Sequence, residues 1–338
     1  MKLPALPVNL PVNLSPPFAT RLRVQLRTLV AALLACTSMC LTNAASSNSG
    51  HKEFTADAVV NPNAFYPEGP QLIADGLLVA EMPRNRIVLV ASGGNRVVWQ
   101  AEGCGPTSIK RIPAGGYWVL CHLGHYVVRL SDSFGIIKTF DQTTSARRIT
   151  WPNDASVDSA GNLYLSSSGL FALDAPAEGR VVFIDLSAGL ASDIVGGIRY
   201  SNGVLVQEQQ HRLLVSEHLN RRVLAFPLLG KGKLGPKKVF FEFKKAPAVA
   251  NAYEQSGPDG IAAFADGDIC VADYGNGRIL LVSRDGQFLT EIPLKYRFVT
   301  NLAIAADQGS IFVTMTRDNA SAARDGIVQK FIVKPGKK

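Results

Sequence analysis

Five polar residues stand at nearly the same distance in front of five apolar segments of the chain. Each belongs to a short motif rich in Gly, Pro or Asn and precedes its apolar segment by 9 to 11 positions; they are Glu68, Asn153, Asn202, Asp259 and Asn301. Equal offsets predict equivalent places in a repeated unit. Carboxylate and carboxamide oxygens without His or Cys suit calcium best, magnesium or manganese next, and zinc less well. The pattern therefore predicts an oxygen-donor cation site.

The same residues have a simpler interpretation as turn formers. Asn or Asp before Gly tolerates the left-handed backbone of tight turns, which would account for Asn202 and Asp259 without any site. Glu68 does not fit that interpretation, because Glu is poor turn chemistry. Since Glu68 shares the offset of the others, the cation site is favoured.

The apolar segments are the first strands of strand-turn-strand units. Six such units recur at intervals of 40 to 56 residues, and they begin at Leu77, Tyr117, Leu163, Leu213, Ile269 and Ile311. That period, without an amphipathic helical stretch between units, predicts an all-β chain folded as a six-bladed β-propeller from about residue 50 to 338. Innermost strands line the channel of a propeller, so the motif residues should converge at one channel mouth.

The beginning of the chain has the order of a secretory signal peptide. Three arginines precede the apolar run 29–41, which ends in small residues. We therefore expect residues 1–45 to be a leader and residues 46–338 to form a single propeller domain. The mature chain is expected to be exported, either to the periplasm or into the medium.

A second interpretation of the leader is a bacterial lipoprotein box at Leu33-Leu34-Ala35-Cys36. In that case a lipid on Cys36 would anchor the mature protein to a membrane surface. No segment after the leader is apolar for long enough to span a bilayer as a helix.

Charge and cysteine content exclude two further classes of site. The formal net charge is +8, but the first fifty residues contribute four Lys or Arg and no Asp or Glu. The remaining lysines are not interleaved with aromatic residues, so nucleic acid is not an expected partner. Cys104, Cys121 and Cys270 lack the CxxC spacing of zinc sites. Cys104 and Cys121 lie in neighbouring predicted strands, where they are expected either to form a disulfide or to remain two buried thiols. Cys270 is expected in the core.

In their order, the motifs resemble those of the SMP-30/gluconolactonase/LRE family of six-bladed propellers, over roughly residues 50 to 338. The resemblance rests on EGP at Glu68, PND with VDSAGNLYLSS at Asn153, SNG at Asn202, PDGIAAFADGDICVADYGNGRI at Asp259 and TNLAIAADQGSIFVT at Asn301. In this family the Glu, the second Asn and the Asp hold a divalent metal. The resemblance thus implies Glu68, Asn202 and Asp259 as ligands, with Asn153 contacting metal or substrate.

The resemblance also implies a metal-dependent hydrolase of lactones or esters that acts on a small-molecule substrate. The cation, calcium before magnesium, manganese or zinc, would polarise the carbonyl, and Asp259 would take a proton from the attacking water. The sequence contains no GxSxG and no HExxH motif, which argues against a covalent serine route or a zinc protease. Two alternatives stay open: a phosphotriesterase-like hydrolase, and a non-catalytic exported propeller that binds a ligand or partner.

One position departs from the family pattern. Many sugar-lactone members carry Arg two residues before the Asn of the third-blade motif, and here Trp151 stands there. An acidic sugar lactone is therefore disfavoured. Trp151 is expected either to stack on a neutral sugar ring or acyl chain, or to pack inside its blade.

Two other predictions concern the surroundings of the channel mouth. The histidines of the predicted hairpins are expected to be surface or packing residues; they are His122, His125, His211 and His218. The long segment 231–256 is expected to cover the mouth as a lid.

Overall fold

Each predicted unit folds with the strand in front of it into one antiparallel sheet. The computed structural model describes residues 52–319 and 325–336, in which six sheets of four or five strands follow one another. The predicted all-β, six-bladed propeller is thereby confirmed. The leader predicted for residues 1–45, including Cys36, lies outside the described residues.

The strands are numbered along the chain, and β1 (Lys52–Phe65) precedes the first complete blade. The first three blades are β2 (Pro67–Ile73), β3 (Gly76–Glu81), β4 (Arg86–Val90) and β5 (Arg96–Gln100); β6 (Pro106–Arg111), β7 (Tyr117–Cys121), β8 (Tyr126–Leu130) and β9 (Ile136–Phe140); and β10 (Pro152–Val157), β11 (Leu163–Ser167), β12 (Gly179–Asp185) and β13 (Leu190–Ile198).

The fourth blade has an extra strand, and the sixth uses β1. The fourth blade consists of β14 (Ser201–Gln207), β15 (Arg212–Glu217), β16 (Arg222–Gly230), β17 (Lys233–Leu234) and β18 (Lys238–Glu242). The fifth consists of β19 (Gly257–Ala263), β20 (Ile269–Tyr274), β21 (Arg278–Val282) and β22 (Phe288–Pro293). The sixth consists of β23 (Phe298–Ile304), β24 (Ser310–Thr316), β25 (Asp325–Pro335) and β1. Three single turns of 3-10 helix, Met82–Arg84, His218–Asn220 and Phe243–Lys245, complete the regular structure of the described residues.

The first strand of each complete blade is the innermost. β2, β6, β10, β14, β19 and β23 contact one another in that order, and β23 contacts β2, so the six strands surround a central channel. The ring is tied shut between the last and first blades, where the Thr300 hydroxyl donates to the Pro67 carbonyl at 2.6 Å. Residues at the start of these strands therefore share one mouth of the channel, as the repeat spacing predicts.

Strand β1 closes the propeller. It pairs antiparallel with β25, from Lys52 opposite Pro335 to Phe65 opposite Asp325, and completes the sixth blade as its outer strand. The two ends of the described chain are thus joined by backbone hydrogen bonds, which satisfy an edge that would otherwise be open. The repeat pattern of the sequence does not predict this strand.

The core lies between neighbouring blades. Middle strands such as β7 (YWVLC) and β21 (RILLV) are buried at every position, because each blade is covered on both faces by its neighbours. Trp118 illustrates the interlock: its ring is fully buried and its indole N–H donates to the Gly161 carbonyl of the next blade at 3.1 Å. Each such side chain contributes about 2 kcal/mol of hydrophobic stabilisation. No helix in the described part of the chain is long and apolar enough to cross a membrane.

The lid prediction for residues 231–256 was wrong for most of that segment. Residues 233–242 supply β17 and β18 of the fourth blade, where hydrogen bonding to β16 fixes them at the blade's outer side. Only the end of the segment approaches the channel mouth, where the Gln255 carbonyl contacts His218 at 2.9 Å.

The disulfide alternative for Cys104 and Cys121 is the one that the structure shows. The bond joins the loop after β5 to the end of β7, and so links the first blade to the second. Cys270 is a free, buried thiol of β20, and burial raises its pKa.

Replacing both bonded cysteines with serine is expected to lower the free energy of unfolding by about 3 kcal/mol. The bond spans 17 residues, and closing a loop of that size restricts the unfolded chain by roughly this amount. In a protein of this size the melting temperature should fall by about 6 °C. Calorimetric melting of the double variant, beside wild type with and without dithiothreitol, checks it: reduced wild type should melt like the variant. Equal melting of reduced and oxidised wild type would contradict the prediction.

Candidate functional site

Four of the predicted residues meet at one mouth of the channel. Glu68 of β2, Asn153 of β10, Asn202 of β14 and Asp259 of β19 line the same cavity of about 250 Å³. All four are at least nine-tenths buried. We call them the oxygen set, since each offers a side-chain oxygen to one space.

Close approach of the inner strands explains the glycines of the motifs. A Cβ on Gly203 would lie 2.2 Å from the Asp259 carbonyl oxygen, and a Cβ on Gly260 would lie 2.3 Å from Cγ of Asn301. Neither glycine has a left-handed backbone, and both lie inside strands. The Asn-Gly and Asp-Gly pairs are therefore not turns; their glycines let the next strand come close enough to close the ring.

The variant Gly260→Ala is accordingly expected to destabilise the protein by about 2 kcal/mol, because overpacking a filled interior forces its neighbours apart. Gly93→Ala is the matched control, since a Cβ there meets nothing within 4 Å. Urea unfolding of both variants measures the difference. If Gly260→Ala unfolds at the same urea concentration as the control, the inner strands can accommodate a Cβ at residue 260 and the prediction is wrong.

Asn301 lies outside the cavity lining and acts on Glu68. Its Oδ1 accepts the Leu302 backbone N–H at 2.8 Å, and its side-chain amide lowers the pKa of Glu68. It does not line the cavity. The fifth residue of the predicted set therefore acts on a neighbour and offers no oxygen to the cavity.

The two carboxylates of the oxygen set are costly to ionise together. Burial, and then the nearby charge of Asp154, raises the pKa of Glu68 to about 8. Burial, and then the charges of Glu68 and Asp154, raises the pKa of Asp259 well above its ordinary value. The charge of Lys110 lowers the pKa of Glu68 only as the smallest of these causes, since its Nζ pairs with Asp154 Oδ1 at 3.3 Å.

Two oxygens of the oxygen set lack a hydrogen-bond donor in the part of the chain that the structure describes. Among the described residues, Asn202 Oδ1 and Asp259 Oδ1 are buried and have no hydrogen-bond donor. Buried polar atoms are normally partnered, so these two, beside an acidic pair, fit a divalent cation. In the described part of the chain no three His, Cys, Asp or Glu residues cluster as ligands. A cation here would thus take carboxamide as well as carboxylate oxygens.

Two histidines that the sequence did not assign to the mouth line the cavity, His122 and His218. Their interpretation as surface or packing residues was wrong in this respect. Burial lowers the pKa of His218 to about 4, so its ring is neutral near pH 7. Its Nε2 bonds the Gln255 carbonyl, which leaves Nδ1 to accept from Asn202 Nδ2 at 3.4 Å. That contact holds the Asn202 amide with its oxygen free.

Aromatic rings form another part of the lining. Phe171, Tyr200, His218 and Tyr274 are contiguous, with Phe171 4.7 Å from Tyr200 and 5.2 Å from His218, and His218 5.6 Å from Tyr274, between ring centroids. We call these four the aromatic wall. Phe171 belongs to the long turn between β11 and β12, where the sequence pattern gives no strand position.

Tyr66 and Tyr200 immediately precede inner strands and have a left-handed backbone, which is uncommon for a bulky residue. The residue before each is held by a buried Glu: Glu81 accepts the Phe65 N–H at 3.4 Å, and Glu217 accepts the Arg199 N–H at 3.0 Å. Each Glu is in turn bound by the Arg five residues later. These ion pairs fix the turns that present both tyrosines to the cavity.

Trp151 occupies the equivalent place before β10 and shares the left-handed backbone. The structure does not bring it into the cavity lining. Its ring packs edge-on against His125 at 5.1 Å, and its backbone N–H donates to His125 Nδ1 at 3.0 Å. Substrate contact by Trp151 stays a prediction.

The chain and its fold have counterparts among known proteins. A family model described as SMP-30/gluconolactonase/LRE-like region matches residues 66–317. A 6-deoxy-6-sulfogluconolactonase of Pseudomonas putida is 26% identical over 212 residues, covering 62% of this chain and 68% of that protein. An uncharacterised protein of Sulfolobus acidocaldarius is 22% identical over 276 residues, covering 77% and 90%.

Solved structures share the architecture. A gluconolactonase of Xanthomonas campestris superposes with a TM-score of 0.67 at 16% identity, covering 86% of this chain and 93% of that one. The calcium-binding protein regucalcin of Agrobacterium tumefaciens gives 0.68 at 18% identity, covering 84% and 96%. At this level of identity the likeness concerns the fold.

Proposed function

The chain belongs to the SMP-30/gluconolactonase/LRE-like family, and from that premise we propose that it hydrolyses lactones or related esters with the help of a divalent cation. The observation that carries the proposal is the oxygen set: two buried carboxylates that form no salt bridge with any described residue, beside unpartnered oxygens of Asn202 and Asp259. The Pseudomonas putida relative is named as a lactonase, and the Agrobacterium tumefaciens protein is named as a calcium-binding protein. Both names support the proposal.

Glu68, Asn202 and Asp259 would hold the cation, with calcium first among the candidates because all the donors are oxygens. When bound, the cation would withdraw electrons from the substrate carbonyl and favour the ionised form of both carboxylates. His218 would contribute by holding the Asn202 amide through the 3.4 Å contact between its Nδ1 and Asn202 Nδ2.

The protein side chains would carry the proton transfers. Asp259 takes a proton from a water molecule as the water oxygen bonds to the lactone carbonyl carbon. The tetrahedral adduct then breaks its bond to the ring oxygen, which receives the proton back from Asp259, and a hydroxy acid results. Asn153, whose Nδ2 lies 3.4 Å from the Tyr200 hydroxyl, would orient the substrate.

Export of the mature protein is part of the same proposal. The Cys104–Cys121 disulfide supports it, because such bonds persist in oxidising compartments.

Hydrolysis of lactones, aryl esters and organophosphate triesters, assayed by proton release with calcium and after chelation, tests the function. We expect turnover of lactones or esters that chelation removes and calcium restores. Preference for the triesters would point to the phosphotriesterase-like alternative. Calcium-dependent thermal stabilisation without any turnover would mark a non-catalytic binding propeller.

A further inference from the structure

In the described part of the chain, the basic side chains that line the cavity of the oxygen set are His122 and His218, and His218 is neutral near pH 7. Among the cavity's described lining residues none is Lys or Arg, and the two carboxylates are Glu68 and Asp259. Of the basic groups outside this lining, Lys110 pairs with Asp154, and Arg221 donates to the Ser256 hydroxyl. A divalent cation held by the oxygen set would already be balanced by Glu68 and Asp259, so an anionic substituent would meet no Lys or Arg of its own and would approach two like charges.

Aromatic rings form one side of the remaining lining, which also contains the polar side chains of Thr107, His122 and Asn319. The wall of Phe171, Tyr200, His218 and Tyr274 is joined by Tyr66, whose hydroxyl lies 3.4 Å from that of Tyr274. The Tyr200 hydroxyl is similarly close to Asn153. Because these polar ends are engaged with one another, the rings are left as the surface for a ligand.

Exposed apolar side chains are sequence neighbours of two lining residues. Leu123 follows the lining residue His122, and Leu170 and Leu173 bracket Phe171 in the turn between β11 and β12. All three leucines are between 41% and 54% exposed, which is a cost in water that an apolar substrate would offset.

We infer that the substrate is an uncharged lactone bearing a flat apolar group, with the aromatic wall as the surface that selects it. The inference rests on the proposed lactonase function and adds the substrate class. Phe171 is the specificity residue to test, since it is half-buried, outside the oxygen set, and in contact with both Tyr200 and His218.

The experiment compares four δ-lactones by proton release: unsubstituted, phenyl-substituted, polyhydroxylated, and polyhydroxylated with a sulfonate. Wild type should show the highest kcat/KM for the phenyl compound, at least 10-fold above the polyhydroxylated one and 100-fold above the sulfonated one. Phe171→Ala should raise KM for the phenyl compound about 10-fold with little change in kcat, while Phe171→Leu falls between. KM for the unsubstituted lactone should change less than 2-fold.

Phe240→Ala is the matched control, because Phe240 is a half-buried ring on the outer strand β18 that stacks on Arg212. Preference for the sulfonated lactone, or an unchanged KM in Phe171→Ala, would overturn the inference while the lactonase function stands. A phenyl-substituted δ-lactam, which is not hydrolysed, separates the two failures by calorimetry. If no lactone is turned over but the lactam binds wild type at least 10-fold more tightly than Phe171→Ala, only the hydrolytic function fails. Absence of both would overturn both.

Discussion

Replacing Asp259 with Asn is expected to lower kcat/KM for any lactone substrate by about 10³-fold while leaving the propeller folded. The amide has the same shape but cannot take a proton from water, and general base catalysis is worth about 10² to 10⁴-fold. The packing should persist, because the strand contact that Gly203 makes is to the backbone carbonyl of residue 259. Steady-state hydrolysis with saturating calcium measures the loss.

A second readout distinguishes this prediction from simple damage. In the absence of a cation, burial and the charge of Glu68 raise the pKa of Asp259 well above its ordinary value, so folding must keep this carboxyl protonated near neutral pH; Asn does not ionise and should therefore raise the melting temperature of the chelated protein. Asp75→Asn, an exposed turn residue at the far end of β2, is the control and should change neither value. Retained turnover in Asp259→Asn would exclude it as the base, and a lowered melting temperature would mean that the variant disturbs packing.

The blades were predictable because their signal is local and repeated. Each predicted unit start lies within one residue of the first residue of the blade's second strand, from Leu77 in β3 to Ile311 in β24. The convergence of Glu68, Asn202 and Asp259 followed from equal offsets, since equivalent positions on a ring of inner strands share one mouth. Strand β1 was not predictable in this way, because it pairs with β25 through backbone groups more than 250 residues away.

The histidine positions carry a repeated signal that their placement in hairpins alone does not reveal. The fifth residue after each unit start is Met82, His122, Ser168, His218, Tyr274 or Thr316, and four of these six line the cavity. The reason is antiparallel geometry: the end of a second strand lies beside the start of the inner strand, as Glu217 opposite Ser201 shows. Phe171 had no such signal, because it reaches the cavity from an irregular turn.

Calcium affinity is expected to rise steeply with pH between 6 and 8. In the cation-free folded protein Glu68 has a pKa of about 8, far above the unfolded value, so it is mostly protonated at pH 6. Calcium must displace that proton, which weakens binding by roughly 50-fold at pH 6 relative to pH 8 for this one group. The raised pKa of Asp259 adds to the effect in the same direction. Calorimetric titration with calcium at a series of pH values, with proton release measured from buffers of different ionisation enthalpy, checks the prediction.

The same raised pKa fixes the sign of the stability change. A carboxyl group whose folded pKa lies above its unfolded value favours the folded state less as pH rises from about 4.5 to 8, so the chelated protein should melt lower at pH 8 than at pH 5.5. Calcium should cancel that decline and widen the gap between the two melting curves toward pH 8. In Glu68→Gln the decline should be smaller and calcium binding weaker, with less of its pH dependence left. A calcium affinity that is flat with pH in wild type would mean that cation binding does not displace protons from these two carboxyl groups.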